Sequence, residues 1–596
     1  MKLIPYYQVK LRGGYLFEKQ ELNTKTTIPA VYDRFYETGR ITAFKFGFPE
    51  KDNIQPHFFW DSDVAKWMES VAYVLHREPH PELEAKVDEL VDDIEHNQEE
   101  DGYFNIFFTV VQPENRWKNR DWHELYCAGH LMEAAVAYAE ATGKTKFLSC
   151  MEKYADYIHR VFIEEQSAGF KTPGHEEIEL ALIRMYRYTG KKKYLDMADH
   201  FLTSRGAVEE SCNNHYYQSH IPARRQIEVT GHAVRSMYLC TGLAYLAAET
   251  KDEELIKQVK ALWEDAVNRK MYVTGGLGST YIGEAFTSAY DLPSDQAYTE
   301  TCAGIGLCFF SNGMLALDNN AHYADAVERA LYNGVTSGLS VDGAQFFYEN
   351  PLEINLGERY ANQFGKRRFP AHRRVACFTC SCCPPNLNRL LASLGNYLYG
   401  TENDVLYVNQ FVASDLATDG INASVETDYP RNGNVSITAD GVEQIAIRIP
   451  SWCDSFTIDQ PYTMQNGYAL VKNIGTAVTV SFDLTPRRVW ADRRVLRTAG
   501  QTAIMRGPIV YCAEGVDNAE GELHQYRIPT EFTAAAEGNT TYGLPTLTVP
   551  CTKRVDDGEL YSNNPPKYEN ATLKLIPYNA FANRDKSDMR VWFFAE

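Results

Sequence analysis

Four cysteines fall within seven residues in the stretch Cys377-Phe378-Thr379-Cys380-Ser381-Cys382-Cys383-Pro384-Pro385-Asn386, while the other nine of the 13 in the chain are scattered. Adjacent Cys382 and Cys383 are poorly placed to bridge each other, because a disulfide wants well-separated Cα atoms. Two neighbouring thiolates can instead reach one soft metal, with Zn–S near about 2.3 Å. Upstream, Glu300-Thr301-Cys302 supplies a carboxylate and a thiol two residues apart, which would complete a tetrahedral set. On these residues alone, a structural zinc, a redox-silent cluster and a chemical centre all stay open, since closed zinc sites commonly only staple a fold.

Two further patterns could do chemistry beside the thiols. The segment from Gly275 to Phe286 is rich in glycine but lacks the Gly-Lys-Ser/Thr ending of a phosphate cradle. Its glycines suit a sharp turn at a pocket rim that presents Glu284, 16 residues before Glu300. A lone loop glutamate is usually only a solvated carboxylate. Histidines recur at matching places, namely His123, His175 and His232, the last two each directly after a glycine where a helix is expected to begin. One such histidine is ordinarily a cap or a packed residue, whereas three converging on one end of a helical bundle would make a polar pocket. None of the three belongs to a His-x-x-x-His pair that would support a zinc site made of histidines, and His130 reads as a helix-interior residue.

The elements that must position these residues follow from periodicity. Residues 1 to about 45 read as partly extended, with turn signals at Gly13-Gly14. From there to about 400 the period is helical, as in Trp67, Val71 and Val74, then Val87, Leu90, Val91 and Ile94, separated by the break Glu78-Pro79-His80-Pro81. Short polar turns at Thr142-Gly143-Lys144, Thr189-Gly190-Lys191, Thr250-Lys251-Asp252 and Asp318-Asn319-Asn320 separate Tyr- and Ala-rich helices. Recurring helical hairpins predict a solenoid or a closed α/α toroid. After Gly400 the texture alternates, as at Ile445, Ile447, Ile449 and at Val478, Val480, Phe482, with turns at Arg431-Asn432-Gly433 and Gln465-Asn466-Gly467. The expectation is a helical domain over 1–400 and one or two β-sandwiches over 401–596.

Composition narrows the function. The 596 residues carry a formal charge of -20, which repels phosphate backbones and argues against nucleic acid. Neither an apolar leader nor a long apolar run is evident, so the expected location is cytoplasmic, with no membrane partner and with reduced thiols free for a metal.

The motifs Gly283-Glu284-Ala285-Phe286, Tyr298-Thr299-Glu300-Thr301-Cys302-Ala303 and Cys380-Ser381-Cys382-Cys383-Pro384 resemble those of the glycoside hydrolase family 127 β-L-arabinofuranosidases. Further likeness lies at Asp61-Ser62-Asp63-Val64, Asp325-Ala326-Val327-Glu328-Arg329, Phe347-Tyr348-Glu349-Asn350, Met505-Arg506-Gly507-Pro508 and Ala582-Asn583-Arg584, and so spans most of the chain. The resemblance implies an (α/α)6 catalytic barrel flanked by β-sandwiches. It implies zinc (Zn2+) held by Glu300, Cys302, Cys382 and Cys383, with Cys382 as nucleophile and Glu284 as general acid/base. It also implies sugar contacts at His123, His175, His232, Glu328 and Tyr348, and is compatible with a homodimer. Cys380 matches a family cysteine of no assigned role, and Cys377 matches none. The segment between His200 and His232 departs from the family in length.

A retaining glycosidase ordinarily sets two carboxyls about 5–5.5 Å apart. Here a thiolate would replace one of them, and zinc would hold as thiolate a sulfur that otherwise titrates near about 8.5. The expected function is therefore exo-hydrolysis of β-L-arabinofuranosides of plant-derived oligosaccharides. The alternatives are a relative that cleaves another sugar, such as an acidic deoxy sugar of pectin, a non-catalytic zinc-stapled carbohydrate-binding protein, and an interaction protein whose histidines and Glu284 would disperse over the surface.

Overall fold

The structure, a computed structural model, describes residues 1–47, 55–210, 212–356, 369–518, 522–538, 541–556 and 559–596. Two helices, α1 (Tyr15–Leu22) and α2 (Ile28–Glu37), lead into five helical hairpins. These are α3 (Trp60–Arg77) with α4 (Pro81–Asn97), α5 (Glu124–Thr142) with α6 (Lys146–His159), and α7 (Ile178–Thr189) with α8 (Lys192–Ser204). The last two pair α9 (Ala233–Thr250) with α10 (Glu253–Asp265), and α11 (Thr301–Leu317) with α12 (Ala321–Arg329). A further helix, α13 (Cys383–Ala392), follows the cysteine stretch.

The two members of each hairpin bury different amounts of surface. Nearly every residue of α5, α9 and α11 is buried, whereas α10 buries Leu255, Gln258, Val259, Leu262 and Trp263 on one stripe. A helix apolar all round belongs inside and one with a single apolar stripe belongs outside. The inner helices α3, α5, α7, α9, α11 and α13 pack each on the next, and α13 packs on α3 to close the ring among the described residues. This is the (α/α)6 barrel. The inner helices touch closely at small residues: a Cβ on Gly129 would meet the Ile178 backbone nitrogen at 2.8 Å, and one on Gly306 would meet Met237 Cβ at 2.8 Å.

All four expected polar turns lie between the helices of a hairpin, at one end of the barrel. Gly143 (φ 72°), Gly190 (φ 70°) and Lys251 (φ 57°) take the left-handed conformation that closes a helix C-terminus. Between residues 1 and 45 the extended character ends at Gly13; beyond it the chain is largely helical, with Gly14 (φ 85°) making the switch.

The β regions are built from three sheets. Two six-stranded sheets face each other, and each recruits one strand from the start of the chain. Lys2–Leu3 pairs with Tyr399–Glu402, and Val9–Gly13 pairs with Ala413–Ala417. The expected alternation holds at Val478, Val480 and Phe482, which are buried. Next to Ile445 and Ile447, however, Ala446 and Arg448 are buried too, because the other face of that strand lies on the barrel, against Ala321 of α12 and its neighbours. A ten-stranded sheet from Arg487 to Ala595 completes the molecule and takes in Glu353–Ile354 from the barrel region. No helix of the described residues is long and apolar enough to cross a membrane.

Candidate functional site

Helix α13 begins where the vicinal thiols stand. Cys382 is its N-cap and Cys383 its first residue, followed by Pro384 and Pro385, whose missing N–H groups are no loss in a first turn. Both sulfurs thus lie at the positive end of a helix. Helix α11 starts the same way, with Glu300 as N-cap and Cys302 in the first turn. Glu300 is bridged to Glu349 across the backbone, and the Thr301 N–H donates to the Tyr348 carbonyl at 2.9 Å, which fixes Tyr348 beside the thiols.

Ring closure brings these two helix ends together. Cys302 Sγ lies 3.7 Å from Cys382 Sγ and 3.3 Å from Cys383 Sγ, and the vicinal sulfurs are 3.8 Å apart. Glu300 Oε1 is 3.5 Å from Cys382 Sγ and 3.6 Å from Cys383 Sγ. A tetrahedral zinc with bonds near about 2.3 Å to sulfur and about 2.0–2.2 Å to oxygen has ligand–ligand edges close to these lengths. The donor set therefore fits the ion. Its electrostatics point the same way. Burial, and then the Cys382 sulfur, push the Glu300 carboxyl well above its ordinary range. Burial also raises Cys383, whereas thiol hydrogen bonds from Cys382 and Cys383 outweigh burial at Cys302 and bring it to about 6. Four acidic groups this close in a buried site cannot all ionise without a cation among them.

Glu284 approaches from a separate turn. Thr280 and Ala285 pair across it, and Ala285 also bridges His232, so the turn is tied by its backbone to the start of α9. Gly283 (φ 69°) and Glu284 (φ 53°) are both left-handed, a strained conformation for a glutamate that surrounding structure must hold. His232 caps α9, its Nδ1 accepting from the Val234 N–H at 3.2 Å. That assigns the ring proton to Nε2, which donates to Glu284 Oε2 at 2.9 Å. Carboxylate oxygens of Glu284 and Glu300 lie within 4.8 Å of each other, beside the His232 ring.

The three histidines stand in a row, with His123–His175 and His175–His232 ring centroids both 5.8 Å apart. Each belongs to the N-terminal end of an inner helix: His123 caps α5, His175 precedes α7 and His232 caps α9. The Nδ1 of His123 faces the Asp121 carbonyl at 2.7 Å and that of His175 faces the Glu176 carbonyl at 2.8 Å. A carbonyl only accepts, so both rings carry their proton on Nδ1 and keep Nε2 as an acceptor. Burial lowers His123 to about 3, and lowers His175 and His232 against the opposing pull of Glu284 on the latter, so the row is neutral near pH 7.

These groups share one cavity of about 260 Å³ at this end of the barrel, which His123, His175, His232, Glu284, Glu300, Cys302, Tyr348, Cys380 and Cys382 all line. The volume is below the range of about 300–1,000 Å³ that drug-sized ligands occupy and suits a single sugar ring. Cys382 is the partly exposed thiol of the vicinal pair and Cys383 the buried one, and Cys382 Sγ also donates to Tyr348 Oη at 3.4 Å.

Three of the residues named from the sequence are elsewhere. Glu328 does not line the cavity. It sits on the outer helix α12, 1% exposed, where Oε1 accepts from Arg448 at 2.6 Å and Tyr429 at 2.7 Å and Oε2 accepts from Trp452 at 2.9 Å. A carboxylate so fully used in joining barrel to sandwich has nothing left for a sugar, which corrects the expected contact. Cys377 faces Ser381 Oγ at 3.3 Å and does not line the cavity. His130 lies inside α5, its Nδ1 2.9 Å from Glu177. Conversely, Tyr126 and Arg235 line the cavity and were not legible as site residues. Each follows a capping histidine by three residues, one helical turn, which is the signal that could have found them. Arg235 is already paired with Asp121 at 2.9 Å and with the Gly174 carbonyl at 3.0 Å.

Comparison with known proteins identifies the family. Residues 8–396 match the β-L-arabinofuranosidase, GH127 catalytic domain, residues 405–481 the GH127 middle domain and residues 486–594 the glycoside hydrolase family 127 C-terminal domain. The non-reducing end β-L-arabinofuranosidase of Bifidobacterium longum subsp. longum is 36% identical, the match covering 91% of this chain and 90% of that protein. The crystal structure of Ara127N-Se, a GH127 β-L-arabinofuranosidase from Geobacillus stearothermophilus T6, superposes with a TM-score of 0.92 at 38% identity, over 99% of this chain and 100% of that one. The GH127 β-arabinofuranosidase BT3674 superposes with a TM-score of 0.90 at 32% identity, over 100% and 98% of the two chains. The chain belongs to glycoside hydrolase family 127.

Proposed function

We propose that the protein is a retaining exo-glycoside hydrolase that releases β-L-arabinofuranose from plant-derived oligosaccharides, with Cys382 as nucleophile and Glu284 as general acid/base. The observation that carries this reading is the meeting of a three-sulfur, one-carboxylate cluster with a separately positioned carboxylic acid on the wall of a cavity that suits one sugar ring. Glu300, Cys302, Cys382 and Cys383 would hold zinc, which supplies the positive charge that keeps the sulfurs as thiolates at neutral pH.

In the first step the Cys382 sulfur forms a C–S bond to the anomeric carbon as the glycosidic C–O bond breaks. Glu284 gives its proton to the leaving oxygen. In the second step Glu284 takes a proton from water, the water oxygen bonds to the anomeric carbon, and the C–S bond breaks. The configuration is retained because the carbon is displaced twice. His232 orients the Glu284 carboxylate through its Nε2–H. The neutral His123 and His175 offer Nε2 as acceptors for sugar hydroxyls.

A neutral pentose suits this lining better than an acidic sugar. The histidines are held uncharged, and Arg235, the one arginine on the wall among the described residues, already answers Asp121. Among the described residues, a carboxylate substrate would find no spare cation there. The test is a hydrolysis screen of p-nitrophenyl furanosides and pyranosides, with and without chelator and reductant. Turnover of the β-L-arabinofuranoside that chelation abolishes and zinc restores is the expected result; turnover confined to a uronic or deoxy acid glycoside would overturn the reading.

A further inference from the structure

One polar wall of the cavity is unused in the mechanism above. Asp63 stands in the first turn of α3, 1% exposed, and lines the cavity. Its Oδ2 accepts from Arg40 Nε at 3.0 Å, in a pair that is buried on both sides. Its Oδ1 has no hydrogen-bond partner of good geometry among the described residues, although the Ser381 N–H is turned toward the carboxylate. A buried carboxylate oxygen without a donor is unfavourable, so it calls for a group that enters from outside. That group need not be a cation. Burial pushes the Asp63 carboxyl above its ordinary value, while Arg40, Lys66 and the Ser381 N–H pull against burial and favour its charge. A neutral hydroxyl donor fits better than a metal ion.

Arg40 has a second attachment. Its Nη2 donates to the carbonyls of Phe378 at 3.3 Å and Thr379 at 3.1 Å, on the strand of chain that carries Cys380, Cys382 and Cys383. One guanidinium thus holds both the free carboxylate and the thiol-bearing segment, in a fixed fork geometry that lysine lacks.

We propose that Asp63 is a sugar-binding residue whose Oδ1 accepts a ring hydroxyl in the cavity, and that Arg40 keeps it in register with the thiols. The inference rests on the sugar-hydrolase reading and adds a specificity contact to it. A hydrogen bond from a hydroxyl to a buried carboxylate is among the stronger kind, so its loss should be visible in affinity.

The test is calorimetric binding of L-arabinose, with steady-state kinetics on p-nitrophenyl β-L-arabinofuranoside, for the unaltered holoenzyme, Asp63→Asn and Asp63→Glu. Zinc content and thermal midpoint are measured on the same samples. The expected result is a dissociation constant and KM raised about 10- to 100-fold, with zinc content unchanged. Asp63→Glu keeps the charge opposite Arg40 and carries the test if Asp63→Asn does not fold. Unchanged sugar affinity in a folded variant, or loss of affinity that only tracks loss of zinc, would overturn the inference and leave the hydrolase reading standing. If the unaltered protein neither binds nor cleaves the arabinofuranoside, the hydrolase reading falls and the inference with it.

Discussion

His232 Nε2 donates to Glu284 Oε2 at 2.9 Å, and the same ring accepts the Val234 N–H through Nδ1. One histidine therefore caps an inner helix and fixes the carboxylate that faces the cluster of sulfurs. Because the cap defines the tautomer, the donor to Glu284 is built into the start of α9 rather than left to protonation. The arrangement keeps Glu284 Oε2 engaged at the start of α9.

Replacing Glu284 by Gln separates the two chemical steps. The variant should lose roughly 10²–10⁴-fold in kcat on substrates with poor leaving groups, the usual contribution of a positioned acid/base. On a dinitrophenyl glycoside, whose leaving group needs no proton, the first step should survive, so a burst of dinitrophenol is followed by slow turnover. Added azide should then restore turnover and give a β-configured glycosyl azide. A variant equally slow on both substrate types, with no burst, would remove Glu284 from the role.

Cys382→Ser tests the nucleophile. The hydroxyl keeps the size of the side chain and can still face an ion, but it is a far weaker nucleophile at neutral pH. A loss of roughly 10³-fold or more in kcat is expected. With the unaltered enzyme and a slow substrate, denatured protein should carry one added pentose on the peptide containing Cys382. Full activity of Cys382→Ser with its zinc in place would end the covalent mechanism.

Chelation should act on stability as well as on activity. The four residues that would hold the ion come from the starts of α11 and α13, two helices that close the ring, so ion binding would be coupled to barrel closure. Dialysis against a chelator should lower the thermal midpoint, and adding zinc should raise it with concentration, the unfolding free energy gaining about 2.7 kcal/mol at 100 times the dissociation constant. Cys302→Ala should sit at the chelated midpoint and ignore added zinc. A midpoint indifferent to zinc in the unaltered protein would mean that the cluster does not take the ion.

How much of this was legible depends on the range of each signal. Turn chemistry is local, and Gly143, Gly190 and Lys251 close their helices where the polar turns stand in the sequence. The glycine–histidine pairs also marked helix starts correctly, because a cap is a property of three or four neighbouring residues. The approach of Cys302 to Cys382 and Cys383 is of another kind. It needs α13 to meet α3 and close the ring, a contact between segments more than 300 residues apart that no periodicity contains. Glu328 misled for the same reason, since its partner Arg448 lies in a strand 120 residues further on. Tyr126 and Arg235 resembled ordinary helix residues because their place in the cavity comes only from standing in first turns that converge, and Asp63 stood out only within the Asp61–Val64 likeness, with no role attached.

The buried histidines make stability depend on pH in a way one variant isolates. His175 is 7% exposed, and burial holds its pKa well below the ordinary value of about 6.5. As pH falls through that value the unfolded chain takes up a proton that the native ring refuses. The unfolded state then binds more protons, so stability is lost towards acid and is full above about pH 7. His175→Gln has nothing to titrate there. The gap in unfolding free energy between unaltered protein and variant should shrink below pH 6.5, by up to about 1.4 kcal/mol per pH unit, in urea titrations at pH 7, 6 and 5. A constant gap would show that the ring is protonated in the native state.

Glu328 offers the sharpest contrast between structural and sugar-binding carboxylates. It receives Arg448, Tyr429 and Trp452 together, and Arg448 also reaches Asp325 at 2.6 Å, so barrel and sandwich meet over a buried ionic cluster. Glu328→Gln keeps the shape but turns one acceptor into a donor that faces donors. Removing one partner of a buried pair typically destabilises by about 3–5 kcal/mol, because the remaining charge is stranded. The expected variant has a lowered thermal midpoint, while below that midpoint KM and kcat stay within about two-fold of the unaltered enzyme, as for a contact made only at a domain junction. Arg448→Met should lower the midpoint as well. With Glu328→Gln also present it should lower it by less than the sum of the two single changes, because both act on one cluster. A rise in KM of ten-fold or more in Glu328→Gln at an unchanged midpoint would return the residue to the sugar.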